Sequence, residues 1–497
     1  MKKTHRMTLI FASLLLVFSI LTTAIGAENL TDAGKILEKF DVSLDGAISV
    51  SDVTATLNHL ATAMAEEHDP FFDFSGEGVT SISDVTVLLN YLASNCGHKR
   101  QILPAKEPTC TEDGHTEGAI CALCSLPLMT QTTFKASGHQ YEDDRCTLCK
   151  QADAKAYLEK MTLHEKICQL FILRPEELGN GQSATALNSA LESGLASYPV
   201  GGFILFANNI STPDQLTAFT SDMQSSSKIP LFMAIDEEGG RVARIARKSS
   251  FPEKNIGTAL SIGQTGDPKN AYNAYSTVGS YLKKYGFNLD FAPVADVFTN
   301  PKNTVIGDRA FGTTPDLVSK MLTAALQGME STKVIGCTKH FPGHGDTAAD
   351  SHTGFVQVTK SWEELKDCEI LPFKAAIDEG VSMIMTAHIT TPNVTSDGLP
   401  ASLSYEMITG KLRNELGFQG VVITDALEMG AIANHYGAGE ACVMALEAGC
   451  DILLLPADFS SGYEAISAAL SEGRLSEQRL NESVLRILQL KAEYGIL

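Results

Sequence analysis

GVVITDALEMGAI, residues 420–432, opens with Val421, Val422 and Ile423 in an unbroken apolar run and then turns polar at Thr424–Asp425. A run without apolar–polar alternation reads as a strand buried on both faces. Seven more runs of this kind lie around it: ICQLFIL (167–173), GGFILFA (201–207), PLFMAID (230–236), LDFAPVADV (289–297), VIGCTKHF (334–341), SMIMTAHI (382–389) and CDILLLP (450–456). Helix-like segments such as SWEELKDCEILPFKAAIDEG (361–380) separate them. Doubly buried strands that alternate with helices argue a parallel sheet. Eight of them within residues 151–497 predict a closed (β/α)8 TIM barrel, with a doubly wound open sheet as the alternative α/β architecture.

Polar residues fall where such a barrel would use them. Asp236, Asp296, Lys339, His340, His388 and Asp425 each stand at or near the C-terminal end of a predicted strand. That is the face on which these barrels carry their chemistry. An unpaired buried charge is costly, so six such residues at one end point to a site rather than to packing.

The rest of the chain sets the context. A length of 497 residues implies several domains, and 44% hydrophobic with 20% charged residues is a globular composition. A net charge of −21 offers no basic face to nucleic acid or to an anionic membrane surface. Residues 1–27 read as a signal peptide: Lys2, Lys3 and Arg6, then an apolar run from Met7 to Leu21, then small residues around Ala24–Ala27. The mature chain is therefore expected to be secreted and extracellular, with no membrane span left after cleavage.

Residues 28–95 contain a duplication. FDVSLDGAISVSDVTATLNHL (40–60) and FDFSGEGVTSISDVTVLLNYL (72–92) align without a gap at a period of 32. Each begins with a twelve-residue loop bearing oxygen donors on alternating positions and a glycine at the sixth, the pattern of a calcium loop. The donors are Asp41, Ser43, Asp45, Ser49 and Asp52 around Gly46, then Asp73, Ser75, Glu77, Ser81 and Asp84 around Gly78. The helix after the first loop is expected to carry Val53, Leu57 and Leu60 on its apolar face.

Residues 96–150 change character again. CALC (121–124) and CTLC (146–149) lie within 30 residues of each other, near His98, Cys110, His115 and His139. The segment is too short and polar to bury much core, so a cross-link must hold it. His98, Cys110, Cys121, Cys124, His139, Cys146 and Cys149 are candidate ligands of structural zinc in a zinc-ribbon-like arrangement, with disulfides as the competing chemistry in an exported chain.

The duplicated module resembles a dockerin, the calcium-binding unit that attaches enzymes to cohesin domains of scaffold proteins. Asp rather than Glu at position 12 fits that family, while Ser at position 3 of both loops departs from it. The resemblance implies a cohesin partner read by Val50, Ser51, Ile82 and Ser83.

IDEEGGRVARI (235–245), KHFPGHGDTAADSH (339–352) and GVVITDALEMGAI, with MTLHEKICQLF (161–171) and IGDRAFG (306–312), resemble glycoside hydrolase family 3, in its β-N-acetylglucosaminidase branch. The resemblance spans the whole barrel and implies a retaining mechanism. It makes Asp425 the nucleophile and His352 the acid/base oriented by Asp350, with no cofactor for catalysis. It places Asp236, Arg244, Arg309, Lys339 and His340 around the sugar. Glu237 and Glu238 are read as structural, because adjacent side chains point apart, and His344 as shaping its loop. Cys168, Cys337, Cys368, Cys442 and Cys450 read as buried thiols.

The expected reaction is release of non-reducing terminal β-linked N-acetylglucosamine from peptidoglycan, chitin-type or glycan oligosaccharides. A family 3 β-glycoside phosphorylase or β-glucosidase is the alternative enzyme. Outside enzymes, the alternative is an inactive carbohydrate-binding scaffold component.

Overall fold

The computed structural model describes residues 36–37, 39–62, 72–76, 78–94, 98–142, 144–179, 181, 183–347 and 356–497. The expected signal peptide, 1–27, lies outside them. Among the described residues no helix is long and apolar enough to cross a membrane. The chain forms two compact units, one comprising Met1–Gln140 with Thr147–Cys149 and the other Tyr141–Cys146 with Lys150–Leu497.

The larger unit is an eight-stranded parallel barrel. Its strands are β1 (Phe171–Leu173), β2 (Gly202–Ile204), β3 (Phe232–Ile235), β4 (Leu289–Asp290), β5 (Ile335–Phe341), β6 (Met383–Thr386), β7 (Val421–Thr424) and β8 (Leu453–Leu454). Each pairs with the next in chain order from β1 to β7, and β8 returns to β1 with Leu453 opposite Phe171. A parallel bridge between Ile423 and Ile452 closes the ring, which excludes the open doubly wound sheet. All eight predicted strands are present. Most are shorter than the apolar runs that announce them: the first run opens in the helix Leu163–Cys168, and the fourth yields only Leu289–Asp290.

Helices surround the barrel, and local sequence starts them cleanly. Thr212 and Asp267 cap the helices Pro213–Ser226 and Pro268–Lys284 by accepting from the N–H groups of Gln215 and Lys269. A proline at the first position of each helix has no N–H to leave unsatisfied. The inner faces of strands and helices meet in one continuous core that includes Phe171, Phe203, Phe232, Phe291 and Phe341, all buried.

The smaller unit holds two helices of equal length, Val50–Thr62 and Ile82–Ser94, each following one of the duplicated loops. Strands Arg100–Leu103, Gly118–Cys121 and Pro127–Met129 form an antiparallel sheet. Helices and sheet share one core, in which Leu37, Phe40, Ile48, Phe74, Val85 and Leu88 pack with Ala119, Cys121 and Leu128. Val53 is buried in that core as expected, but Leu57 is 44% exposed. Positions 53 and 57 are four apart, near one full helical turn, yet the core here covers only the Val53 side of that stripe.

Candidate active site and metal-ligand clusters

The C-terminal ends of the barrel strands open on a cavity of about 310 Å³. Asp236 follows β3 directly, Lys339 and His340 lie on β5, and Asp425 follows β7. Arg244 comes from the loop after β3, and Arg309 from the short turn Gly307–Arg309. All six line the cavity, so the structure brings these sequence-derived site residues together. Asp350 and His352 lie outside the described residues.

Opposite charges organise the floor. Lys339 Nζ donates to Asp236 Oδ1 at 2.9 Å and pairs with Glu238 Oε1 at 2.7 Å. Arg309 forks onto Glu238, with Nε and Nη2 each 2.8 Å from a carboxylate oxygen. Arg244 Nη2 reaches Asp236 Oδ2 at 3.2 Å. Burial would push Asp236 and Glu238 up, but the cations beside them win and hold both carboxyl groups below their ordinary range.

Glu238 was not among the site residues read from sequence. The argument that Glu237 and Glu238 point apart holds, but its useful corollary is that residues two apart in extended chain share a side. Asp236 and Glu238 therefore face the cavity together. Glu237 turns away and accepts from the N–H groups of Arg244, Ile245 and Ala246 and from the Tyr281 hydroxyl. It fixes the loop that delivers Arg244.

His340 is held from both ring nitrogens. Nδ1 lies 2.7 Å from Asp296 Oδ2, and Nε2 lies 3.3 Å from Arg309 Nη2. Burial first, then Arg309 and Lys339, push the imidazole well below its ordinary value, so it is neutral at pH 7. A neutral ring fits these contacts: Nδ1–H donates to Asp296, and Nε2 accepts from the guanidinium. Asp296 also accepts from the His344 N–H at 2.5 Å, and burial pushes its carboxyl up to about 6.

Asp425 has a different setting. The Ala426 N–H donates to its Oδ1 at 2.8 Å. Burial raises its carboxyl, but His388, the Ala426 N–H and Lys339 outweigh that and hold it below its ordinary range. His388 fastens the following residue, with Nε2 2.9 Å from the Ala426 carbonyl and Nδ1 2.8 Å from Ser402 Oγ. At the rim Arg174 forks onto Glu428 and stacks 4.9 Å from the Phe206 ring, which Arg244 also faces at 5.5 Å. These three rim residues had no signal in the sequence, because they converge only through the fold.

In the smaller unit the duplicated loops have the same hydrogen-bond plan. Gly46 N–H donates to Asp41 and Gly78 N–H donates to Asp73, each at 2.9 Å. Asp52 accepts from Ser43 and Ser49, and Asp84 from Ser75 and Ser81. Gly46 and Gly78 sit at φ +82 and +85, where a side chain would be strained. Burial first, and then the neighbouring charges of Asp52 and Asp45, raise Asp41 despite its N–H donors. Ser43 Oγ is buried without a hydrogen-bond partner. Converging carboxylates beside an orphaned hydroxyl fit a hard cation with oxygen ligands. Glu77 lies outside the described residues.

His98, Cys121 and Cys124 bring one ligand atom each within 4.8 Å of one another, as do Cys110, His139 and Cys149. Cys146 is buried on the hairpin formed by Tyr141–Glu142 and Arg145–Cys146.

The architecture is that of a (β/α)8 barrel with a charged cavity at the C-terminal ends of its strands. Residues 162–490 match the model of the glycosyl hydrolase family 3 N terminal domain, and the chain belongs to that family. It is 38% identical over 338 residues to Beta-hexosaminidase A of Pseudoalteromonas piscicida, covering 62% of this chain and 56% of that one. The chain thus spans little more than half the length of that relative. It is 33% identical over 305 residues to Beta-hexosaminidase of Nitrosomonas eutropha, covering 59% of this chain and 86% of the relative. A family 3 beta-N-acetylglucosaminidase from Paenibacillus sp. str. FPU-7 superposes with a TM-score of 0.64 at 37% identity, covering 68% of this chain and 63% of the other.

Proposed function

We propose that the chain is a secreted, retaining β-N-acetylhexosaminidase that removes non-reducing terminal β-linked N-acetylglucosamine from peptidoglycan, chitin-type or glycan oligosaccharides. One observation carries the reading. Asp236, Glu238 and Glu428 in the cavity are each paired with a lysine or arginine. Asp425, among the described residues, has no such pair and is kept ionised at the end of a strand. A carboxylate neutralised by a cation is a poor nucleophile, so Asp425 is the group left to attack. The beta-hexosaminidase relatives support the choice of sugar.

In the first step an Asp425 oxygen bonds to the anomeric carbon as the bond to the leaving oxygen breaks. His352, protonated and oriented by Asp350, gives the leaving oxygen its proton. His352 then takes a proton from water, whose oxygen displaces the carboxylate and restores Asp425. Asp236, with the donors of Arg244, Arg309 and Lys339, binds hydroxyl and acetamido oxygens.

The test sets p-nitrophenyl β-N-acetylglucosaminide beside the β-glucoside, with Asp425→Ala as the blank. Preferential release from the acetamido sugar, lost in the variant, is expected. Preference for the glucoside would make the protein a β-glucosidase, and a rate that depends on added phosphate would make it a phosphorylase.

The same proposal includes calcium-dependent attachment to a cohesin scaffold. Val50 and Ile82 are 73% and 67% exposed, and Leu57 and Leu89 are 44% and 48% exposed. These pairs are equivalent under the 32-residue repeat, so an apolar patch with no folding role is present twice. Retention of the full chain on immobilised cohesin in calcium, and release by chelator, is expected; retention unaffected by chelator would overturn it.

A further inference from the structure

The geometry points to a zinc ion held by His98 Nδ1 and the sulfurs of Cys121 and Cys124, clipping the turn after Gly118–Cys121 to the segment that leads into Arg100–Leu103. Its ligands take no part in the barrel's chemistry and are not donors of the calcium loops.

The spacing fits the metal. Zinc binds cysteine sulfur at about 2.3 Å and histidine nitrogen at about 2.0–2.1 Å, so a tetrahedral angle puts the two ligands about 3.6 Å apart. Cys124 Sγ and His98 Nδ1 are 3.6 Å apart. The turn between the cysteines is shaped to present both sulfurs to one side. Ser125 N–H donates to the Cys121 carbonyl at 2.9 Å, with Ser125 in the left-handed region at φ 61. Leu123 N–H donates to Cys121 Sγ at 3.3 Å, the bond that stabilises a metal-bound thiolate. His98 and Cys121 are buried, whereas Cys124 is exposed, so an ion has a path in from solvent.

The sheet needs such a clip. Among the described residues, only Ala119, Cys121 and Leu128 of it are buried in the core, with Met129 packed against it, while Ile102, Leu123 and Leu126 stay exposed. So little apolar burial does not hold strands of three or four residues, and metal binding supplies the missing folding free energy. The clip also acts at a distance along the strand. Arg100, two residues after His98, donates its N–H to the carbonyl of Gly46 in the first duplicated loop at 2.5 Å. Fixing His98 thus fixes the backbone of that loop. Cys110, His139 and Cys149 gather in the same way in the same unit, with Cys149 Sγ 3.4 Å from His139 Nδ1.

The full chain, purified under reducing conditions with zinc and dialysed into metal-free buffer, is compared with Cys121→Ser/Cys124→Ser by metal analysis. The double variant is expected to retain one equivalent of zinc less than the parent. Cobalt(II) in place of zinc should give a thiolate-to-metal charge-transfer band in the parent. His98→Asn, a milder change should the double variant misfold, should weaken that band and shift the visible bands. Equal zinc in parent and double variant would overturn the proposal. So would Cys121 and Cys124 that alkylate only after reductant is added, the signature of a disulfide.

Discussion

The two units solve the problem of buried charge in opposite ways. In the barrel, Asp236 and Glu238 are neutralised by Lys339, Arg244 and Arg309 from the same fold. In the smaller unit, Asp41 and Asp52 converge with backbone N–H donors around them, and among the described residues no lysine or arginine pairs with either. The barrel buries a core running through nearly every strand and helix; among the described residues, the smaller unit has eleven buried apolar residues in its cluster. A domain with a large core can carry an internally balanced site, whereas the smaller unit, under the proposals above, would be completed by ions from outside.

The sharpest way to isolate the one cavity-lining carboxylate that, among the described residues, lacks a lysine or arginine partner is Asp425→Ala. Turnover should fall by at least about three orders of magnitude, with the melting temperature kept or slightly lowered, because the groups that hold the carboxylate ionised lose a favourable partner. Steady-state kinetics with calorimetry checks both halves. A smaller but still large effect is expected from Lys339→Met, which takes the buried ammonium from Asp236 and Glu238 and leaves each with one arginine. Breaking such a pair costs about 3–5 kcal/mol, measurable by denaturant unfolding. The half-exposed Arg174–Glu428 pair at the rim should cost about 1 kcal/mol or less when Arg174 is changed to Met.

Chelation probes the comparison directly. Removing calcium and zinc should lower the unfolding temperature of the smaller unit alone, by the equivalent of about 2.7 kcal/mol for an ion present at a hundredfold its dissociation constant. A barrel transition that moved equally would break the contrast.

The last effect is a slope rather than a step. Burial pushes Lys491 down to about 7, where its amine meets Gln169 Oε1 and the Pro230 carbonyl. The unfolded chain holds that proton up to about 10.4, so between about 7 and 10.4 the unfolded state binds more protons and barrel stability rises with pH. The penalty is full below about 7 and gone above 10.4. The gain is at most about 1.4 kcal/mol per pH unit, and Lys491→Met should flatten it in unfolding titrations.

Much of this was legible in advance. Double burial writes an uninterrupted apolar run, so the eight strands could be read off, and a charged residue closing such a run marks the catalytic end. Asp236, Lys339 and Asp425 were found that way. The length of β4 was not, since apolar character does not reveal which N–H groups reach a neighbour. Glu238 was misjudged because attention went to its neighbour rather than to the residue two before it. Arg174 and Glu428 are 254 residues apart, and nothing local in either stretch announces their meeting.

The closure of the ring has a consequence for how the chain is made. Since β8 is the partner of β1, and Ile452 the bridge from Ile423, both margins of the growing sheet stay open until residues near 453 have emerged from the ribosome. By then β1 has waited through some 280 residues of synthesis with unpaired N–H and C=O groups along an apolar edge. The nascent barrel is thus a client for holding factors over most of its translation, and variants that slow β8 should be lost as aggregates before they are ever seen as inactive enzyme.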